Sequence, residues 1–100
     1  MYDMKNLSKF QKLAELSPAA FKAFVAFDAA AFEGGAIPLK YKELMAVAVA
    51  LTTQCPYCIE IHARKAKNAG ATEQELAETT LIAAALRAGG AMTHGTHTLE

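Results

Sequence analysis

Between Leu44 and Leu51 the chain sets eight apolar residues in a row, "LMAVAVAL", with no polar position among them. A helix that is apolar on every face belongs in an interior, so this block predicts a central, fully buried helix opened by Pro38 and running to about Thr52. The next block has a different pattern. Glu60, Arg64, Lys67 and Asn68 recur at i, i+4, i+7 and i+8, which makes one solvated stripe on a helix from Pro56 to about Ala69, stopped at Gly70. At 100° per residue, Cys58, His62, Ala66 and Ala69 fall on the opposite side and face inward, toward the apolar helix. Upstream, a first helix is predicted from about Leu7 to Leu16, with Ser17 as a cap and Pro18 at the first position of a second. That second helix carries Phe21, Phe24, Val25, Phe27, Ala31 and Phe32, an aromatic stripe expected in the core, and ends at Gly34-Gly35. Thr72 and Glu75 form a T-x-x-E capping box for a fifth helix, which Gly89-Gly90 should break or kink, leaving a short last helix or a frayed tail. No strand alternation stands out. The pattern therefore predicts an all-α chain of five to six helices in one domain, residues 1–100.

Composition adds a partner. Of the 100 residues, 53% are apolar, above the roughly 45–50% of ordinary soluble domains. A chain this short has a small core of its own, so the surplus is read as surface that meets another subunit. Ten acidic residues balance ten basic ones, with a pI near 6.8. Such a balance provides no field to draw nucleic acid or anionic lipid, and eight apolar residues in a row fall far short of the roughly 20 that span a bilayer. The opening "MYDMKNLSKFQK" does not resemble a signal peptide, which points to the cytoplasm. In that compartment a vicinal cysteine pair is more often redox-active, catalytic or metal-binding than a permanent staple.

The only two cysteines stand in "CPYCIEIH", residues 55–62. Cys55 precedes Pro56, at or next to the helix N-cap, where unpaired N–H groups and the helix dipole favour a thiolate. Cys58 and His62 lie one turn apart on the inward side, placed to exchange a proton directly or through a water. CxxC spacing permits a disulfide across one turn, so cycling between dithiol and disulfide is chemically available. Other readings are two small hydrophobes in a core, an inert bridge, or a zinc site completed by His62, His94 or His97. Zinc is disfavoured because there is one CxxC and His62 shares its short helix; a c-type haem is excluded because Ile59, not His, follows Cys58. Glu43 heads an otherwise apolar face of the third helix. It is either a partly buried carboxylate that relays protons with His62 or a surface residue beside Lys40 and Lys42.

Glu43, eleven residues, Cys55-Pro56-Tyr57-Cys58, three residues and His62, followed by "AKNAGATEQEL", resembles the alkylhydroperoxidase D-like group of the carboxymuconolactone decarboxylase family. The resemblance runs from about Ile37 to His94, and residues 36–97 carry the family core. It implies a helical fold assembled into dimers, trimers or hexamers, and a thiol peroxidase without metal, haem or other cofactor. Cys58 would attack a small peroxide, Cys55 would condense with the resulting sulfenic acid, and Glu43 and His62 would move the protons. A dithiol reductant, such as a lipoylated or thioredoxin-like protein, would restore the pair. The position at the cap by itself favours Cys55 as the lower-pKa thiol, whereas the resemblance assigns the attack to Cys58, with His62 and Glu43 to activate it. Longer relatives carry a histidine between the cysteines, where this chain has Pro56 and Tyr57. The alternatives are a decarboxylase-type enzyme, in which His94 and His97 would line a pocket, and a non-catalytic redox-sensing module.

Overall fold

A computed structural model describes residues 2–100. They form five α-helices: α1 (Phe10–Leu16), α2 (Pro18–Phe32), α3 (Leu39–Thr53), α4 (Pro56–Asn68) and α5 (Glu73–Gly95), with short 3-10 helices at Met4–Lys9 and Thr96–Thr98. No strand occurs among the described residues, so the all-α expectation holds. The chain divides into two compact units, one ending at Leu39 and one spanning Lys40–Glu100.

In the first unit, Asp3 caps the opening 3-10 helix by accepting the Lys5 N–H at 2.9 Å. This 3-10 segment replaces the start of the predicted first helix, and α-helical geometry begins only at Phe10. α1 and α2 meet at Ser17-Pro18, where the Ser17 N–H bonds the Leu13 carbonyl and the Phe10 and Phe21 rings lie 5.8 Å apart. Ser17 occupies the N-cap of α2 without the expected side-chain bond; Pro18, with its pre-set φ and no N–H to satisfy, opens the helix instead. The aromatic stripe of α2 is not core. Phe24 and Phe27 are 60% and 70% exposed, and Phe21 and Phe32 are only half-buried.

In the second unit, α3 is not fully buried as its uniform hydrophobicity predicted. Glu43, Leu44, Val47 and Ala50 form its buried face, while Met45 and Val49 are 50% and 59% exposed. The other buried apolar residues are Ala66 of α4 and Ala83 of α5. Alanines at these places let helix backbones approach closely, at the cost of little apolar area per contact. Two longer ties fix α5 to α3: the Arg87 guanidinium donates to the Thr52 carbonyl at the C-terminal end of α3, and Lys40 Nζ meets Glu75 Oε2 at 3.0 Å near its N-terminal end.

The turns follow local chemistry. α4 closes in a Schellman motif, with the Ala71 N–H on the Ala66 carbonyl and the Gly70 N–H on that of Lys67, and Gly70 takes the φ of +99° that this motif requires. Thr72 and Glu75 form the predicted capping box, at 2.9 and 3.1 Å. α5 then continues through Gly89-Gly90 to Gly95, so the helix does not break there. Each glycine costs a helix interior only about 1 kcal/mol, too little to end a helix where no competing turn is offered. Among the described residues no helix is long and apolar enough to cross a membrane.

A candidate dithiol site at the start of helix α4

The site grows out of the junction between α3 and α4. A proline at position 56 forces the preceding residue out of the α region, so α3 must end before Cys55. It ends through Gln54, whose φ of +58° is left-handed, and Cys55 then adopts extended φ −94°, ψ 100° with its N–H returned to the Ala50 carbonyl at 3.2 Å. Gln54 was not singled out by its sequence, yet the Cys-Pro step that follows was the signal that a reversal had to occur there.

Cys55 is thereby the N-cap of α4. Its Sγ accepts the Cys58 N–H at 3.4 Å and lies 2.7 Å from the Cys58 Sγ, with both thiols free and half-buried. Held first by the Cys58 thiol, then by the Cys58 amide and the Tyr57 amide, Cys55 sits below the ordinary thiol range, with burial acting weakly against this. The same contact acts oppositely on its partner. Cys58 is pushed up to about 11, first because its S–H is committed to Cys55, then by burial and by the neighbouring sulfur's charge.

Glu43 and His62 come together, so Glu43 is not the surface residue of the second reading. Its carboxylate is 3% exposed, and His62 Nδ1 lies 2.6 Å from Oε1. With Glu43 ionised, Nδ1–H donates to it, which fixes the ring's orientation. Lys40, the proposed surface neighbour, pairs instead with Glu75. On the far side of α4, Glu60 and Arg64 form the expected i, i+4 pair at 3.8 Å, and Arg64, Lys67 and Asn68 are exposed. The polar stripe therefore marked the outside of α4 correctly, and Ala66, opposite it, is completely buried.

His94 and His97 do not join this site: both are exposed, with their rings 5.4 Å apart at the C-terminal end of α5. Among the described residues no group of three or more His, Cys, Asp and Glu side chains is arranged to hold a metal ion. An open cleft of about 260 Å³ between α3 and α5, lined by Leu51, Thr52, Thr80, Ala83, Ala84 and Arg87, contains none of the four candidate residues.

The sequence profile of the carboxymuconolactone decarboxylase family matches residues 18–100. The chain belongs to that family. Among related family members and structures, an uncharacterized protein in the cox locus of Paracoccus denitrificans is 44% identical over 77 residues, which are 77% of this chain and 69% of that one. The crystal structure of a carboxymuconolactone decarboxylase family protein from Legionella pneumophila superposes with a TM-score of 0.78 at 33% identity, covering 82% of this chain and 73% of the other. A protein from Methanobacterium thermoautotrophicum superposes with a TM-score of 0.83 at 34% identity, covering 88% and 99%. The family's helical core thus accounts for α2 onward, including every residue of the candidate site.

Proposed function

We propose that this family member is a thiol-dependent peroxidase of the alkylhydroperoxidase D-like kind, which cycles Cys55 and Cys58 between dithiol and disulfide while Glu43 and His62 move protons. One observation carries the reading: two free sulfurs 2.7 Å apart at a helix start, on the same helix as a histidine bonded to a buried carboxylate. In the oxidative half, a thiolate attacks a peroxide oxygen, the O–O bond breaks, and an alcohol and a sulfenic acid result. The second thiol displaces water from the sulfenic acid and closes the disulfide. A dithiol reductant then returns two electrons and two protons. The carboxylate–imidazole pair suits proton delivery to the leaving oxygens, a contribution of about 10²–10⁴ in rate for a well-placed acid–base group. The exposed apolar side chains of α2 and of the outer face of α3 support a homo-oligomer.

The test is peroxide consumption with an excess of dihydrolipoamide. Many equivalents of peroxide consumed per chain, and loss of this turnover in both Cys55→Ser and Cys58→Ser, is the expected result. A single stoichiometric oxidation without recycling would replace the peroxidase with a redox-sensing module.

A further inference from the structure

The tie between Arg87 and α3 does more than hold two helices together. We propose that Arg87 is a positioning residue for the dithiol: by holding the Thr52 carbonyl it sets the turn that delivers Cys55 to the cap of α4, a role that rests on the dithiol reading above.

The need for an outside donor arises at the Cys55-Pro56 step. In a helix each carbonyl accepts from the amide four residues on, and for Thr52 that residue is Pro56, which has no N–H. The Thr52 carbonyl is therefore orphaned by the same proline that opens α4. Ala50, two residues earlier, accepts the Cys55 N–H at 3.2 Å, the six-to-one bond of a Schellman closure around Gln54. α4 closes with the same long bond, from Ala71 to Ala66, but there a glycine, Gly70, takes the left-handed position. Gln54 carries a side chain at a φ of +58°, a conformation that a residue with a Cβ keeps only when its surroundings impose it. Arg87 supplies that constraint. Its guanidinium reaches across from α5, 35 positions away, and donates to Thr52, where a cation also meets the negative end of the α3 dipole. Among the described residues no acidic side chain lines the cleft that Arg87 borders with Leu51, Thr80, Ala83 and Ala84. The turn is thus held at both ends, Thr52 by α5 and Cys55 by Ala50.

What the turn fixes is the approach of the two sulfurs, 2.7 Å apart. A disulfide closes more favourably when its thiols are already held together, because little ordering is left to do. Loosening the turn frees Cys55 from the cap and lowers the effective concentration of one thiol at the other. Equilibration with glutathione reads this directly: the two thiols give two electrons and two protons to glutathione disulfide, the S–S bond forms, and two glutathione thiols are released.

Arg87→Met keeps the apolar stem and removes every donor. It should lower the equilibrium constant for closing the disulfide about 10-fold, a shift of about 30 mV toward easier reduction, read by mass spectrometry after acid quenching. Arg87→Lys, which restores a cation and a donor, should bring the constant to within about 3-fold of wild type. Lys40→Met breaks the tie to Glu75 at the other end of the same two helices and should leave the constant within about 2-fold. An Arg87→Met chain that matches wild type overturns the proposal, and so does an equal shift in Lys40→Met, which would make the effect one of general stability. Gln54→Gly removes the strain that Arg87 holds, so in that background Arg87→Met should shift the constant by less than about 3-fold; an undiminished shift overturns the proposal too. Each variant is checked for helicity by circular dichroism; should Arg87→Met lose it, Arg87→Gln, with a stem too short to reach Thr52, is read against the same criterion. No peroxide enters this measurement, so the peroxidase reading fails separately. A shifted equilibrium in a chain without turnover keeps the role of Arg87 and loses the peroxidase, whereas a wild-type chain that closes no disulfide ends both.

Discussion

Helices α2 and α4 were read by the same rule, the spacing of their apolar positions, with opposite success. α4 carries Glu60, Arg64, Lys67 and Asn68 on one side, so its outside is unmistakable and its inside follows by subtraction. Ala66 is completely buried, and His62 reaches the buried Glu43. Over its fifteen residues α2 has only Lys22 and Asp28 as charges, and Phe24 and Phe27 of its apolar stripe are exposed. A polar stripe states which side meets water, because charges resist burial. An apolar stripe states only that a side can be covered. What covers it depends on which surfaces the assembled protein brings against it.

The comparison is broken most forcefully at Glu43. Glu43→Ala removes a buried carboxylate and leaves the half-buried His62 imidazole without it, so it should lower peroxide turnover by about 10²–10⁴ and destabilise the chain by about 1–3 kcal/mol in urea unfolding. Glu43→Gln should recover most of the stability and little of the turnover; full activity in either variant would remove Glu43 from the relay.

Leu44→Ala and Phe27→Ala set the two regions side by side. The first empties a buried position and should cost about 2–5 kcal/mol, while the second should cost about 0.5 kcal/mol or less in the isolated chain. A cost at Phe27 that matches Leu44, together with a change in mass by light scattering, would show that a second copy covers α2.

The cysteines make stability depend on pH. Cys58 is raised in the folded chain from 9.0 to about 11, so its contribution is fully present below 9 and is lost as pH rises toward 11. Cys55, which is lowered, contributes above the ordinary thiol pKa, and that contribution is lost as pH falls through its folded value. The urea midpoint should therefore drop between pH 9 and 11, and drop less in Cys58→Ser; identical pH profiles would contradict the sulfur–sulfur contact.

Two smaller changes should stabilise. Gly89→Ala adds a methyl where nothing lies within 4 Å, and should gain up to about 1 kcal/mol. A loss there would again reveal a covered surface. Gln54→Gly relieves a left-handed φ and should gain roughly 0.5–1 kcal/mol in thermal unfolding, provided that Cys55 keeps its place at the cap.

Much of this molecule could be read from local signals. Pro56 after Cys55, the T-x-x-E at Thr72 and the glycine after Ala69 each fixed a helix end, because caps and turns are decided by a few neighbouring atoms. Pairing of Cys58 with Cys55 was legible too, since three residues span one turn. Less legible was Gly89-Gly90, where a modest propensity cost was read as a break, and Ser17, where a good capping residue makes no cap.

The sequence by itself determined the helical class, the inward side of α4 and the place of Cys55 at its cap, because periodicity and capping are properties of neighbours along the chain. Only the tertiary structure decided that Glu43 is buried against His62 across nineteen positions and that α3 hides one face rather than all. Those outcomes depend on which groups meet in space and what each loses in water when they do, and spacing along one helix does not carry that information.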